Sequence, residues 1–418
     1  MSDKPLPARP GRGPTLRSLG VRNFRLFFGG QLISQVGNWL TMVAQTLLVL
    51  RLTHNGVAVG LLQAAQFLPV LLFGPWTGLV VDRSDKRRLL LIIQSFAMLQ
   101  SGVLAALAFS HRPPLFAFYL AATAGGFATA FDNPARRSFV VEMVPIDQVQ
   151  NAVSLNTAMM TGARVVGPAL AGLLIHLVGF GWCFAIDALS YIAVLAGLAA
   201  MRTEELRPSV PAPRAKGQVR AGLRYARSVP DLFVPLAMTA LIGALAYNFS
   251  TVLPLFATRV FHGSDTTYTW MFSAMSVGSV SGALLSARRR TIELRTVVLA
   301  AGAFGLAMFA LAAAPNLSAA FALSVVVGFV SVTFMTSSTA IVQLRADPEM
   351  RGRVLALQAM VFLGSTPIGG PILGAVCEYA GARVGLVIGG LSCVVAAAAG
   401  WRQLPLTARS PSVSVPPA

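Results

Sequence analysis

Apolar residues along this chain fall into twelve runs, at about 24–50, 57–81, 89–111, 114–135, 150–177, 180–200, 231–256, 267–287, 295–314, 316–342, 354–376 and 384–404. Short polar clusters separate them. Each run is roughly 20 residues or longer, the length an α-helix needs to cross about 30 Å of hydrocarbon. Lipid offers the backbone no hydrogen bonds, so such runs must close their own as helices; strands would have to be short, alternating and joined into a barrel. The pattern predicts an all-α integral membrane protein with twelve transmembrane helices. The run that begins at Phe24 is too long for the apolar core of a signal peptide, and no A-x-A site follows it. It is expected to stay in the mature chain.

Composition agrees with this picture. Of 418 residues, 55% are hydrophobic and 11% charged, against about 25% charged in soluble domains. Cys183, Cys377 and Cys393 are scattered among apolar runs, so neither a disulfide framework nor a metal site is implied. No cofactor is expected. The net charge of +18 resembles a nucleic-acid signal, but the basic residues sit in short clusters between hydrophobic spans. That arrangement fits membrane topology and argues against nucleic acid.

If the N-terminus is cytoplasmic and the chain crosses twelve times, 28 of the 33 Lys and Arg fall inside. Four fall outside, namely Arg51, Arg112, Arg259 and Arg383, and Arg164 lies within a span. This asymmetry supports both the orientation and the helix count.

The longest connection, 201–230, contains the Pro-rich stretch "RPSVPAPRAKGQ" and then the basic amphipathic piece "VRAGLRYARSV". The first reads as a linker, the second as a helix on the cytoplasmic lipid surface. It divides an N-terminal six-helix bundle (1–200, with a tail over 1–23) from a C-terminal one (231–418). The halves repeat. At an offset of 202 residues, Leu155 meets Leu357, and Gly162, Gly167 and Gly172 meet Gly364, Gly369 and Gly374. Two similar six-helix units predict a cleft between them, opened by turns to either side.

The loop "GLVVDRSDKRR" between the second and third runs holds Gly78, Asp82, Arg83, Asp85, Lys86 and Arg87. It resembles motif A of the major facilitator superfamily, G-x-x-x-D-R-x-G-R-R, with Asp85 where the second glycine stands. The matching loop of the second half, "GALLSARRRTIEL", keeps Gly282 and the arginines and has Ser286 in place of the acid. "DNPARRSFVVEMVP", "RVVGPALAGLL" and "ADPEMRGRVLAL" resemble the branch of enterobactin- and macrolide-type exporters, the drug:proton antiporter-3 branch. The resemblance implies two pseudo-symmetric six-helix bundles in a bacterial inner membrane, with both termini cytoplasmic. It also implies a monomer exchanging a small-molecule substrate for protons.

In the superfamily the motif A acid faces the N-terminal end of the eleventh helix, whose partial positive charge favours an anion. Asp82 and Gly78 are therefore expected to latch the cytoplasmic ends of the halves together, with Arg351, Arg353 and Arg136 as partners. Arg83, Lys86 and Arg87 read either as part of that gate or as topology anchors.

Charges away from span ends are few. Arg164 either faces a cavity, tuning a carboxylate or meeting an anionic substrate, or pairs structurally. It sits in "GARVVGPALAG", which resembles the antiporter motif C, where Gly-Pro bends the fifth helix; Gly162, Gly167, Pro168 and Gly172 belong to it. Helix depth places Arg164 about 10 Å from either Asp187 or Asp132, so its partner stays open. Asp132 reads as a protonatable carboxylate or as the end of the fourth helix, since Asn133-Pro134 resembles a cap with a first-turn proline. Asp187 could carry a coupling proton or donate as a neutral acid.

Gln31, Ser34, Gln35, Asn38, Thr41 and Gln45 share one face of the first span. That stripe either lines a cavity or bonds to neighbouring helices. By the resemblance, the first, fourth, seventh and tenth spans line the cavity, adding Tyr119, Tyr247, Asn248, Thr336 and Ser337. Trp39, Met42 and Phe67 would lie near. A neutral, amide-rich and apolar lining suits an amphipathic organic compound. No G-x-x-x-x-G-K-[ST], H-E-x-x-H or G-x-S-x-G with plausible partners occurs, so neither ATP hydrolysis nor another enzyme activity is expected. The sequence thus predicts a secondary transporter exporting a hydrophobic or amphipathic molecule. A lysophospholipid facilitator and a non-transporting receptor or scaffold are the alternatives.

Overall fold

The computed structural model describes residues 14–110, 113–207, 218–287 and 293–407. Among these, helices carry nearly the whole chain and no strand occurs. The first half contains α1 (Arg22–Thr53), α2 (Gly56–Arg83), α3 (Lys86–Phe109), α4 (Leu115–Glu142), α5 (Val149–Val178) and α6 (Phe180–Ala199). A short helix, α7 (Gln218–Ser228), precedes the second half. The seventh span is broken: α8 (Pro230–Leu245) stops, the chain unwinds through Asn248, and α9 (Phe249–Leu255) resumes before a π-helical turn at Phe256–Val260. Then come α10 (Asp265–Ala287), α11 (Leu294–Ala312), α12 (Leu317–Arg345), α13 (Pro348–Tyr379) and α14 (Ala382–Thr407).

Eleven spans among the described residues are long and apolar enough to cross a membrane, against the twelve runs read from the sequence. The difference is α10. Its 23 residues include buried Thr269, Ser273, Ser276, Ser279 and Ser286, which lower its hydropathy. Three of these hydroxyls donate to carbonyls of their own helix. α10 packs between α12 of its own half and α5 of the other, so it is a member of the bundle whose polar face meets protein. Large apolar side chains such as Leu72, Trp76, Leu99, Leu120, Leu173, Leu189, Leu306 and Leu344 are exposed, a perimeter that fits hydrocarbon.

Local chemistry sets the turns. Asn55 caps α2 by accepting from the N–H groups of Val57 and Ala58. Asp85 caps α3 by accepting from Arg88 N–H at 3.0 Å. Asp85 has φ −62°, so the loop works without the glycine of motif A: a capping carboxylate does the same task. Gly179 and Gly381, with φ +88° and +95°, make the turns after α5 and α13. Both lie in the left-handed region that excludes most side chains. They stand 202 residues apart and extend the internal repeat.

The repeat is equally visible in packing. A Cβ on Gly167 would lie 2.3 Å from Trp39 of α1, and one on Gly369 would press on the Ala244 carbonyl of α8. So α5 and α13 each grip the first span of their own half. Farther along, a Cβ on Gly172 would strike Thr269 of α10, and one on Gly374 would lie 2.5 Å from the Gly56 carbonyl of α2. Each of the two helices therefore meets the second span of the other half. Gly162 has open space around it, whereas Gly364 meets Leu71. The halves are related in their contacts but not identical. α5 runs unbroken through Pro168.

One open alternative is decided here and one expectation is added to. α4 does not end at Asn133-Pro134 but continues through Pro134 to Glu142; the Asp132–Arg136 pair spans the proline on the same face. And α7 does not rest on lipid alone. Ala226 is fully buried, in a cluster with Leu232, Leu236, Val342, Ala346, Val354 and Leu357, and Tyr225 Oη accepts from Asp347 N–H at 3.0 Å. Its apolar face covers the ends of α12 and α13. The Pro-rich linker 208–217 and Arg288, Arg289 and Arg290 lie outside the described residues, as does Arg112.

Candidate functional site

A cavity of about 420 Å³ lies inside the first half. α1 contributes Gln35, Asn38, Trp39, Thr41, Met42 and Gln45; α2 contributes Gln66 and Phe67. α3 adds Gln94 and Gln100, α4 adds Thr129, Asp132, Asn133 and Arg136, α5 adds Met160, Thr161 and Arg164, and α6 adds Tyr191. All its lining residues come from the first six spans. The polar stripe of α1 supplies one wall because residues three and four apart share a helix face.

One side of the cavity is a charged cluster. Asp132 pairs with Arg136 one turn later, and Gln94 Nε2 donates to Asp132 Oδ1 at 2.7 Å. The Gln35 amide, with its oxygen toward α4, accepts from the Arg136 guanidinium. Both charges are 6% exposed. Arg136 Nε and Gln94 Oε1 have no hydrogen-bond partner.

Arg164 lies on another wall. Its guanidinium stands 5.9 Å from the centre of the Trp39 ring, a cation–π distance. Its Nε has no hydrogen-bond partner, and no carboxylate pairs with it among the described residues. The question of its partner is answered by elimination: Asp132 serves Arg136, and Asp187 is elsewhere. Asp187 is fully buried outside the cavity. It accepts from Thr41 Oγ1 at 2.6 Å and Ser101 Oγ at 2.7 Å, with Ser190 Oγ at 3.5 Å. A Cβ on Gly37 would lie 2.4 Å from its oxygen. Asp187 ties α1, α3 and α6 together.

The remaining cavity candidates are placed elsewhere. Gln31 is buried in α1 but does not line this space. Tyr119 Oη donates to the Ala58 carbonyl, and Tyr247 Oη to the Ser331 carbonyl. Asn248 Nδ2 donates to Ala244 O at 2.7 Å, which satisfies the break in the seventh span. Thr336 bonds back to Val332, and Ser337 is buried with no hydrogen-bond partner. The cavity thus differs from the expected cleft between halves. Of the second-half candidates, Tyr247, Asn248 and Thr336 donate to protein carbonyls, and Trp39, its ring 5.8 Å from the tilted ring of Phe272 of α10, stands at the boundary.

On the side away from the motif A loop the halves are joined. α2 and α13 run antiparallel, and a Cβ on Gly60 would lie 2.3 Å from the Gly370 carbonyl. Glu378, near the end of α13, accepts from Gly56 N–H, in the first turn of α2, at 2.6 Å. Arg259 pairs with the same oxygen at 2.7 Å and donates to His54 O at 2.7 Å. Arg51 pairs with Asp265 at 2.6 Å. The Gly60–Gly370 approach, Glu378–Gly56, Arg259–His54 and Arg51–Asp265 cross between halves, and the Arg259–Glu378 pair within the second half holds two of these groups together.

A family model described as transmembrane secretion effector matches residues 14–414. The chain belongs to that family. It is a member of the major facilitator superfamily and a multi-pass membrane transporter of small molecules. It is 22% identical over 374 residues to the staphyloferrin A transporter of Staphylococcus aureus, covering 88% of this chain and 93% of the relative. It is 23% identical over 352 residues to macrolide efflux protein A of Streptococcus pyogenes, covering 83% and 87%. Among solved structures, a bacterial homolog of the human lysosomal transporter Spinster superposes with a TM-score of 0.73. It is 14% identical and covers 96% of this chain and all of that one.

In this secretion effector the motif A residues take distinct places. Asp82 is half-buried at the end of α2 and Arg83 is exposed; Gly78 lies a turn earlier in α2. Lys86 Nζ pairs with Glu142 Oε1 at 2.8 Å, both side chains almost fully buried. Arg87 donates to the carbonyls of Leu198 and Ala199 at 2.7 and 3.1 Å, closing the C-terminal end of α6, where a cation is favoured. Lys86 and Arg87 thus fasten the first half internally. Arg136, expected beside Asp82, lies in the cavity cluster instead; its length and an acid one turn away draw it inward. Arg351 is exposed, and Arg353 Nη1 lies 3.2 Å from Met350 Sδ.

Lys86→Met should test the internal fastening. It leaves a buried acid without this cation, a loss that costs about 3–5 kcal/mol in buried pairs. The expected result is a lower melting temperature of purified protein, partly recovered in the Lys86→Met/Glu142→Leu double variant. An unchanged melting temperature would show that the pair contributes nothing.

Proposed function

We propose that the effector exports an amphipathic small molecule by alternating access, using the cavity of the first half as its binding chamber. The observation that carries this reading is the chamber itself, which sets the Asp132–Arg136 pair and Arg164 among amides and the apolar side chains of Trp39, Met42, Phe67 and Met160. Charged groups deep in a membrane span are costly and mark transport paths. The curated relatives, named for a siderophore and for macrolides, support a cargo of that size and outward direction.

Coupling to protons is part of the proposal. Asp132 is the acid that lines the chamber, so a proton on it would weaken its hold on Arg136 and alter the wall that meets cargo. Asp187, sealed among three hydroxyls, is a structural knot. The side away from motif A is read as the outer face: its closure by Glu378, Arg259 and the glycine contacts gives an inward-accessible state, with both termini and the motif A loop cytoplasmic. Asp82, at the end of α2, would belong to the latch that holds the inner ends together in the opposite state.

A panel of drugs and metabolites, scored for export from cells with and without the protein, would reveal the cargo. Thr129→Trp fills the chamber without removing a charge. It should abolish export while insertion is normal. Full export by that variant would remove the chamber from the pathway.

A further inference from the structure

The protein leaves one charge in its chamber unneutralised among the described residues. Asp132 and Arg136 cancel, and Gln94 and Gln35 complete them. Arg164 has only the Trp39 ring and an unsatisfied Nε. The polar groups that face the same space from α1, α2 and α3 are the Thr41 hydroxyl and six amides, Gln35, Asn38, Gln45, Gln66, Gln94 and Gln100. None of them carries charge, and Gln94 Oε1 still lacks a donor. A surplus guanidinium inside a membrane protein is unfavourable unless something pairs with it.

We infer that the chamber binds its cargo through a carboxylate docked on Arg164, so that the transported class is carboxylate-bearing amphiphiles. The planar guanidinium matches a carboxylate with two parallel hydrogen bonds, geometry that a lysine or an amide does not reproduce. Trp39, against which Arg164 lies, would cover an apolar part of the same molecule beside the acid. A cationic cargo would meet Arg164 with repulsion and no acid free to receive it, since Asp132 is already paired. The sign of the surplus charge thus selects acids over amines. This rests on the reading of the cavity as the cargo chamber.

Two matched series test it with the full chain in lipid nanodiscs: naphthaleneacetic acid, its primary amide and naphthylethylamine, and dansylglycine, its amide and dansyl-ethylenediamine. Equilibrium dialysis gives the affinities. The acid of at least one series should bind about tenfold or more tightly than its amide, as expected for charge-assisted pairing, and the amine should bind most weakly. Arg164→Gln should reduce the acid-to-amide ratio to about one, and Arg164→Lys should retain a preference for the acid. Absence of acid preference in both series, or its survival in Arg164→Gln, overturns the inference. Thr129→Trp separates the two readings. If acid and amide bind equally and both are blocked by Thr129→Trp, the chamber stands and the carboxylate dock falls. If acid-selective binding survives Thr129→Trp, the chamber reading falls and takes the dock with it.

Discussion

Vesicles carrying the Asp132→Asn variant are expected to lose cargo accumulation driven by a pH gradient, to the level of empty vesicles, while retaining exchange of labelled for unlabelled cargo. The reason lies in the pair with Arg136. Asparagine keeps the shape and one acceptor for Gln94 but can neither take up a proton nor balance the guanidinium. Exchange needs the chamber and the rocking of the halves but no net proton, so it should persist. The expected fall in driven transport is at least about 100-fold, as for removal of an obligatory proton carrier. Stability complicates the single variant, because breaking a buried pair costs about 3–5 kcal/mol. Asp132→Asn/Arg136→Gln removes both charges together, and should recover melting temperature but not driven transport. If either variant still concentrates cargo against a gradient, Asp132 is not the carrier, and Asp187→Asn becomes the next measurement.

Asp132 and Asp187 illustrate why a buried acid in a membrane span has two meanings. Both are almost sealed from solvent. Asp187 receives two short bonds from Thr41 and Ser101, on separate helices, so moving it would loosen α1, α3 and α6 together. Asp132 faces a chamber and bonds Arg136 one turn away on its own helix and Gln94 of α3. It has one cross-helix bond of its own against the two that hold Asp187. Rigid knots and adjustable pairs are thus both built from aspartate, and packing decides which is which.

The helices and their duplication were legible in the sequence because lipid leaves the backbone few choices: a 20-residue apolar run must be a helix. The 202-residue offset found in Gly167/Gly369 and Gly172/Gly374 reappears as equivalent helix contacts, because a glycine kept in both copies marks where backbones touch. The turn glycines Gly179 and Gly381 lie at the same offset and were available to the same comparison. Side-chain destinations were less legible. Arg136 reads as one more basic residue at a span end, yet it points into the chamber toward Gln35 and Asp132. A long flexible side chain can serve either place, and only the helix face settles which. Likewise Tyr247 and Asn248 are polar and mid-span, as a cavity wall requires, but Asn248 satisfies a carbonyl at a helix break that the sequence did not announce, and Tyr247 donates to the Ser331 carbonyl of α12. Glu378 escaped notice altogether. Its signal was an acid near the end of the run that repeats the fifth span, opposite the start of α2.

Replacing Glu378 with alanine is expected to open the face away from motif A. Its carboxylate holds the first N–H of α2, where the helix dipole favours an anion, and anchors Arg259, which in turn holds His54 O. The bonds to Gly56 and His54 tie one half to the other, and the Glu378–Arg259 pair links them within the second half. The site has the logic proposed above for motif A at the other end of the bundle: an acid at the end of one helix meets the start of its counterpart in the other half. Loss of the acid removes one charge-assisted hydrogen bond and one ion pair. Arg259 and Glu378 are partly exposed, 34% and 21%, so the pair is screened and the bond to Gly56 carries most of the effect, about 1.5–3 kcal/mol. That shifts the balance between closed and open forms by about tenfold or more. Spin labels on Leu52 and His262, one on each half, should report a larger share of long distances in Glu378→Ala, and Glu378→Gln should fall between that variant and the parent. Gly60→Leu should act in the same direction without touching a charge, since even its Cβ would lie 2.3 Å from the Gly370 carbonyl. If the distance distribution is unchanged in Glu378→Ala but broadens in Gly60→Leu, close packing alone holds that face shut and the acid is incidental.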